Sequence, residues 1–291
     1  MIPVPTIEKA KILTQALPYI QNYYKKTIVI KYGGDAMISN HRLRKAVISD
    51  IILLSFVGMN VVLVHGGSSE ITEMQKRLNL KTEFINGLHY TDENTIKLVQ
   101  MVLAGQVNKD IVNELSIKSG KAVGLSGIDD GLIKAKKCFD GANDCGLTGE
   151  IVGINIKPIT DMLEKGYTPV IAAIAQGIDG NSVYNINENV AAAEIAIKLG
   201  AEKLVILADV MGVLTDPKYE DTLISVLKMS EIDNLKNEGI ISGMMLSKVD
   251  SCVAALKGGV KRTHIIDGRI QHSILIEILS DDGIGTMFVK D

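Results

Sequence analysis

Thr27-Ile28-Val29-Ile30-Lys31-Tyr32-Gly33-Gly34 is a short, β-branched apolar run that ends on a lysine and stops at paired glycines. A run this short, bounded by glycine, predicts a buried strand rather than part of a helix. Val61-Val62-Leu63-Val64 repeats the design and stops at His65-Gly66-Gly67, which leads into a helix near Ser69. Residues from about Asn40 to Phe56 carry helical patterning between the two runs. Strand, helix and strand in that order predict parallel neighbours joined by a crossover helix.

Working outward, the alternation persists. Upstream, Ile7, Ala10, Leu13, Ala16, Leu17, Ile20 and Tyr24 recur at helical spacing and predict an amphipathic helix over residues 7–24. Downstream, one long helix is expected over 92–118, ahead of the run Lys121-Ala122-Val123-Gly124-Leu125. A Gly- and Asp-rich stretch over 127–149 reads as hairpin and loop. Pro169-Val170-Ile171-Ala172, Leu204-Val205-Ile206-Leu207 and His264-Ile265-Ile266 are further strand-like runs, with helices expected over 188–199, 244–257 and 272–279. The pattern predicts an α/β fold: a three-layer αβα sandwich around a mostly parallel sheet. No low-complexity linker divides the chain, so the expected boundary is compact and lies near Gly180, separating residues 1–180 from 181–291.

A net charge of -3 gives no field for gripping a polyanion, so nucleic-acid binding has no compositional support. No apolar run reaches the roughly 18 residues that span a bilayer, and Met1-Ile2-Pro3-Val4-Pro5 lacks the form of a signal peptide. Cys138, Cys145 and Cys252 are too few and too irregularly spaced for a disulfide framework or a zinc site. A cytoplasmic protein with reduced thiols is expected.

The common phosphate-binding and hydrolase signatures are absent. What recurs is a buried strand, a glycine pair and a helix start. Glycine lets backbone approach a ligand closely, and free N–H groups at a helix start favour anions. Paired glycines after a strand are more often plain turns. Two such turns at one sheet edge are more suggestive, because ligands of open α/β sheets sit at the carboxyl ends of strands. Lys31 places a cation beside the first turn. Taken alone, it reads better as the point where a strand meets water, and Lys248, beside the stripe Met245-Val249-Cys252-Leu256, reads better as a solvated helix lysine.

Nine motifs in order carry a resemblance. Lys31-Tyr32-Gly33-Gly34-Asp35-Ala36-Met37, Val64-His65-Gly66-Gly67, Leu103-Ala104-Gly105-Gln106-Val107-Asn108-Lys109 and Ala122-Val123-Gly124-Leu125-Ser126-Gly127 come first. Tyr184-Asn185-Ile186-Asn187, Asp209-Val210-Met211-Gly212-Val213-Leu214 and Ile241-Ser242-Gly243-Met244 with Lys248-Val249 follow. His264-Ile265-Ile266-Asp267-Gly268-Arg269 and Gly283-Ile284-Gly285-Thr286-Met287 complete the set. Together they resemble the N-acetylglutamate kinases of the amino acid kinase family, colinearly over nearly the whole chain.

The resemblance implies transfer of the γ-phosphoryl group of ATP, with Mg²⁺, to the side-chain carboxylate of N-acetyl-L-glutamate, a step of arginine biosynthesis. It implies that Lys31 and Lys248 flank the moving group, that Gly33 and Gly34 bind phosphate oxygens, and that Asp209 helps place the nucleotide. Gly66, Gly67, Asn185 and His89 would hold the small amino-acid substrate. Asn189 stands where an aspartate is expected to orient the two lysines, and His89 stands where an arginine is expected. Ser68-Ser69 and Ala173, in place of a proline, are smaller departures on the same side. Glu188 is expected to be a poor substitute for the missing aspartate, because one residue turns a helix by about 100°. The departures leave a second possibility open: a weak or substrate-shifted paralogue with a binding or regulatory role. Ala16-Leu17-Pro18-Tyr19-Ile20 resembles the N-terminal helix of arginine-inhibited, hexameric members. That implies a homo-oligomer, a trimer of dimers, with arginine as a possible effector and with His264 and residues 282–285 near its site.

Overall fold

The computed structural model describes residues 5–34, 40–79, 84–85, 88–89, 91–140 and 143–291. Both opening runs are strands, β1 (Thr27–Tyr32) and β2 (Asn60–His65), paired in parallel with Lys31 opposite Val64 and Tyr32 opposite His65. The helix between them, His41–Phe56, starts where Asn40 Oδ1 accepts from the backbone N–H of Arg42 and Leu43. Asn at that position satisfies donors the helix cannot satisfy itself.

Further along come the two-residue strands β3 (Phe84–Ile85) and β4 (Leu88–His89), which pair only with each other, and β5 (Ala122–Gly127). The Gly- and Asp-rich stretch forms the antiparallel hairpin β6 (Ile133–Asp140) and β7 (Asn143–Ile154). β8 (Thr168–Gly177), β9 (Val183–Asn185), β10 (Lys203–Ala208), β11 (Val226–Lys228), β12 (Arg262–Asp267) and β13 (Gly285–Val289) complete the strands. Among the described residues, eleven strands form one sheet ordered β11-β13-β12-β10-β1-β2-β8-β6-β7-β9, with β5 also on β8. Within this sheet and among the described residues, only β12–β13, β6–β7 and β8–β9 pair antiparallel. β1 lies between β2 and β10, so the sheet runs unbroken between the parts of the chain before and after Gly180.

The layers follow from strand alternation. Val29, Val62, Val64, Leu204 and Ile206 face the helices Glu188–Lys198 and Met244–Lys257, packing with Ala192, Ile195, Val249 and Cys252. Ile28, Ile30, Leu63, Val205 and Leu207 face the opposite way, against Val47, Ile51, Leu115, Ile274 and Ile278 of His41–Phe56, Asn108–Ile117 and Ser273–Leu279. Strands apolar on every residue are what a sheet covered on both faces demands. This is the three-layer sandwich expected from the sequence.

Two differences from the sequence reading bear on the site. The helix expected over 92–118 is continuous but irregular: Glu93–Gln100 and Asn108–Ile117 flank a π-helical turn at Met101–Val107. Gly105 stands in that turn, where the weakest helix former apart from proline makes departure from α geometry cheapest. Among its described residues, the N-terminal helix Thr6–Tyr23 docks near its end, with Tyr19 and Tyr23 packed against Ser273–Leu279. Ile7 and Leu13, which the spacing placed on its apolar face, are 74% and 73% exposed.

Candidate active site

Alternation puts Lys31 on the same side of β1 as Val29, facing the helix Glu188–Lys198. It lies one residue from the strand end and is 5% exposed. Its Nζ donates to the Leu207 carbonyl at 3.4 Å and pairs with Glu188 Oε1 at 3.6 Å. Because β2 and β10 flank β1 in parallel, three loops leave one sheet edge side by side: Gly33-Gly34, Gly66-Gly67 and the segment beginning at Asp209.

Each loop is tailored to close approach. Gly34 has φ of +150°, and a Cβ there would lie 2.6 Å from Asp209 Oδ1. Gly33, at φ +151°, lies over the Lys31 ammonium. A Cβ on Gly66 would lie 3.0 Å from the Glu188 carboxylate, and one on Gly67 would lie 2.7 Å from Leu103 Cδ2 of the π-helical turn. Gly67 also begins the helix Ser68–Arg77, so its first amides face this edge. The motif residues Asp35-Ala36-Met37 lie outside the described residues.

Lys248 reaches the same place from the other covering helix. It is half-buried, and Nζ donates to the Met244 carbonyl at 3.1 Å. Burial pulls its pKa below the ordinary lysine value and the like charge of Lys31 adds to this, while Glu188 and Asp209 oppose it. The two lysines, predicted from motif order alone, are therefore neighbours at one sheet edge. The Asp209 carboxylate faces them.

The helix bearing Glu188 and Asn189 is capped by Asn187, whose Oδ1 accepts from the Asn189 and Val190 amides at 2.9 and 3.3 Å. Asn189 turns inward and is 5% exposed, with no hydrogen-bond partner for its Oδ1 among the described residues. The expectation that Glu188 is badly placed fails. Glu188 is the first residue of the helix, so its long side chain is free to run past the helix end, and that end points at Lys31. Rotation about the axis decides little when the side chain leaves along it. Asn185 ends β9 two residues before the cap and is half-buried. His89 lies on β4, and its side chain is outside the described part of the structure.

One group of polar residues was quoted in the motifs without a role. His65 and Asn108 are buried beneath the second glycine pair, 1% and 0% exposed. Asn108 Nδ2 donates to the Val170 carbonyl at 2.9 Å, to His65 Nε2 at 3.1 Å and to the Leu125 carbonyl at 3.1 Å. A donor at Nε2 leaves the imidazole proton on Nδ1, which donates to the Gly66 carbonyl at 2.9 Å. Burial pulls the His65 pKa down to about 4, so the ring is neutral near pH 7. The only trace in the sequence was polar residues at the end of one apolar run and inside another helical one.

Parallel β strands bring two lysines, two carboxylates and two glycine turns together at one sheet edge. Among the described residues, no cluster of His, Cys, Asp and Glu has the form of a metal site, and no helix is long and apolar enough to cross a membrane. The chain belongs to the amino acid kinase family, whose profile matches residues 26–267. It is 51% identical over 280 residues to the acetylglutamate kinase of Clostridium beijerinckii, covering 96% of this chain and 98% of that protein. It is 50% identical to that of Syntrophomonas wolfei, covering 99% of each. Among solved structures, the N-acetylglutamate synthase of Neisseria gonorrhoeae complexed with coenzyme A and N-acetyl-glutamate superposes with a TM-score of 0.83 at 27% identity. That match covers 97% of this chain, which spans 63% of the synthase.

Proposed function

We propose that this chain phosphorylates the side-chain carboxylate of N-acetyl-L-glutamate with ATP, giving an acyl phosphate and ADP, in arginine biosynthesis. The observation that carries the reading is full-length identity near one half to proteins named acetylglutamate kinase. The site supplies the chemistry such a transfer needs.

An acceptor carboxylate is ionised at neutral pH, so no general base has to remove a proton. The difficulty is electrostatic: two anions must be brought in line while charge spreads over the moving group. Lys31 from the sheet and Lys248 from the helical layer covering that face neutralise that charge. The amides of Gly33 and Gly34 cradle phosphate oxygens where a side chain would block them. Asp209 orients the nucleotide side. Gly66 and Gly67, their backbone fixed by His65, receive the reacting end of the acceptor, with Asn185 and His89 contributing to the rest of the substrate. Mg²⁺ enters with the nucleotide, held mainly by phosphate oxygens and water.

The decisive assay traps the acyl phosphate with hydroxylamine in the presence of MgATP and N-acetyl-L-glutamate. Hydroxamate formation that depends on both substrates and is lost in Lys31→Ala supports the reading. Its absence, with nucleotide binding intact, overturns it.

The exposed face of Thr6–Tyr23 supports homo-oligomerisation, with copies joined through that helix into a trimer of dimers. Arginine would act as a feedback effector beside it. There, buried His264 pairs with Glu277 at 2.7 Å, and the Lys203 ammonium lies 5.1 Å from the centre of the Tyr23 ring on the same helix. The Ile284 N–H donates to Glu277 Oε2 at 3.2 Å, which supports a place for residues 282–285 beside the same region.

A further inference from the structure

The catalytic edge contains a carboxylate that the sequence reading set aside. Glu188 Oε1 lies 3.6 Å from Lys31 Nζ, and the Glu188 carboxyl carbon would lie 3.0 Å from a Cβ on Gly66. This carboxylate therefore stands between the cation of the first glycine turn and the backbone of the second. It is 26% exposed, so water and ligand reach it. Asn189, the neighbouring position, carries no charge, and its oxygen points into the protein.

We propose that Glu188 is the positioning residue of this enzyme: its carboxylate holds Lys31 at the strand end and balances the pair of lysines across the site. This deepens the reading given under Proposed function and rests on it for the reaction concerned.

Three features support the assignment. Lys31 is almost wholly buried, and an ammonium taken out of water has to be compensated by an opposite charge or by several acceptors. Among the described residues, the contacts to its Nζ are one carbonyl and Glu188. Lys248 feels Lys31 as a repulsive neighbour, and Glu188 and Asp209 are the charges that offset this repulsion. Of those two, Asp209 belongs to the loop after β10 and lies against Gly34, whereas Glu188 lies against Gly66. Glu188 alone therefore links both lysines to the acceptor side. A neutral imidazole, His65, lies beneath it and contributes no competing charge near pH 7.

The groups facing this carboxylate are Lys31 from β1, Lys248 from the helix Met244–Lys257 and His65 from β2, and Asp209 after β10 acts on the same Lys248. Removing its charge leaves two lysines with one counter-charge. The expected result is twofold: a slower transfer step, and a Lys248 ammonium that releases its proton at lower pH.

Glu188→Gln keeps the shape and deletes the charge, and Glu188→Asp keeps the charge on a shorter arm. In the hydroxamate assay Glu188→Gln is expected to lower kcat about a hundredfold, the loss that follows from one charged contact worth about 3 kcal/mol. KM for ATP should stay within about threefold, a split that marks positioning rather than nucleotide binding. The basic limb of its kcat–pH profile should move to lower pH, and Glu188→Asp should recover at least about a tenth of wild-type kcat. Glu188→Gln with kcat within about threefold of wild type and an unmoved basic limb would overturn the proposal.

A second readout is independent of turnover. NMR titration of isotope-labelled lysine side chains in full-length wild type and Glu188→Gln follows the Lys248 ammonium directly. A lower titration midpoint in the variant supports the assignment, and an unchanged one refutes it. A wild-type protein without kinase activity, but with the expected NMR difference, would reject the kinase reading and leave the role of Glu188 standing.

Discussion

Asn108→Leu is the sharpest test of how the second glycine turn is built. The substitution nearly preserves shape and removes every polar atom of the side chain. In the wild type, Asn108 is fully buried, and its two amide protons are shared among the Val170 carbonyl, the Leu125 carbonyl and His65 Nε2. Its Oδ1 accepts from Lys109 Nζ at 3.0 Å. Two buried hydrogen bonds contribute about 1 kcal/mol each, and stranding the acceptors they served costs about 1–3 kcal/mol more. A loss of about 3 kcal/mol is expected, read as a lower urea midpoint at unchanged slope. A loss below about 1 kcal/mol would refute the account of this network.

Asn108→Asp turns the same position into a test of sign. In the wild type, the His65 pKa is depressed from 6.5 to about 4 by burial. A base with a depressed pKa contributes stability above pH 6.5 that is lost as pH falls towards 4, about 3 kcal/mol in all. An aspartate at 108 has no N–H to offer Nε2, so only a protonated imidazole keeps both ring contacts, one to the aspartate and one to the Gly66 carbonyl. That raises the folded pKa and reverses the slope: the contribution is then present below pH 6.5 and lost as pH rises. Urea unfolding at several pH values distinguishes the two. Parallel pH dependences in wild type and Asn108→Asp would mean that the ring does not depend on Asn108 as the geometry requires.

Three further outcomes are expected. Gly34→Ala should weaken ATP binding by about tenfold to a hundredfold in calorimetry, because it combines left-handed-region strain of about 1–2 kcal/mol with a methyl pressed on Asp209. Asp50 is fully buried against His272, and burial pushes its carboxyl up to about 6 despite that hydrogen bond. Its contribution to stability is complete below pH 3.8 and lost as pH rises through about 6. Wild type should therefore lose about 3 kcal/mol relative to Asp50→Asn between pH 3 and pH 7 in denaturant titrations. Leu13→Asp with Leu17→Asp should reduce the oligomer size in light scattering with little change in melting temperature, since both side chains are exposed in the single chain. An unchanged size, or a lone chain in the wild type, would contradict assembly through this helix.

Most of the sheet was legible because its strands are buried on both faces. Such strands are apolar at every residue and stop where glycine permits a turn, as β1 and β2 do. The strands that escaped are short or interrupted: β9 is three residues long, and β13 mixes glycine, threonine and methionine. The helix Lys157–Glu164 was missed because its eight residues span barely two turns and open with a proline at their second position. The π-helical turn has no periodic signature of its own, and Gly105 signals a weak helix position without saying how the chain departs. Lys31 was legible as a cation beside the first glycine turn, but its face became plain only when the strand and its covering helix were placed. Glu188 was not, because its reach depends on where a helix ends relative to a neighbouring strand, which is a tertiary fact. Asn108 looked like an ordinary helix polar residue, and only the strand-end carbonyls of Leu125 and Val170 explain its burial.

The contacts of Lys31 bear on how a buried cation remains available to a ligand. Charge-assisted hydrogen bonds of an ammonium close to about 2.7–2.9 Å when nothing opposes them. Lys31 instead stands 3.4 Å from the Leu207 carbonyl and 3.6 Å from Glu188. A lysine serving only the fold would close on its carboxylate, because burial at 5% exposure gives every incentive to do so. Among the described residues, these two long contacts aim the ammonium without saturating its three donors. Gly33 leaves the remaining approach open, since even a Cβ there would lie 3.6 Å from Nζ. An arriving phosphate or carboxylate oxygen meets a charge already desolvated and directed. That cost was met in folding, which is the condition for electrostatic preorganisation to act on a transition state.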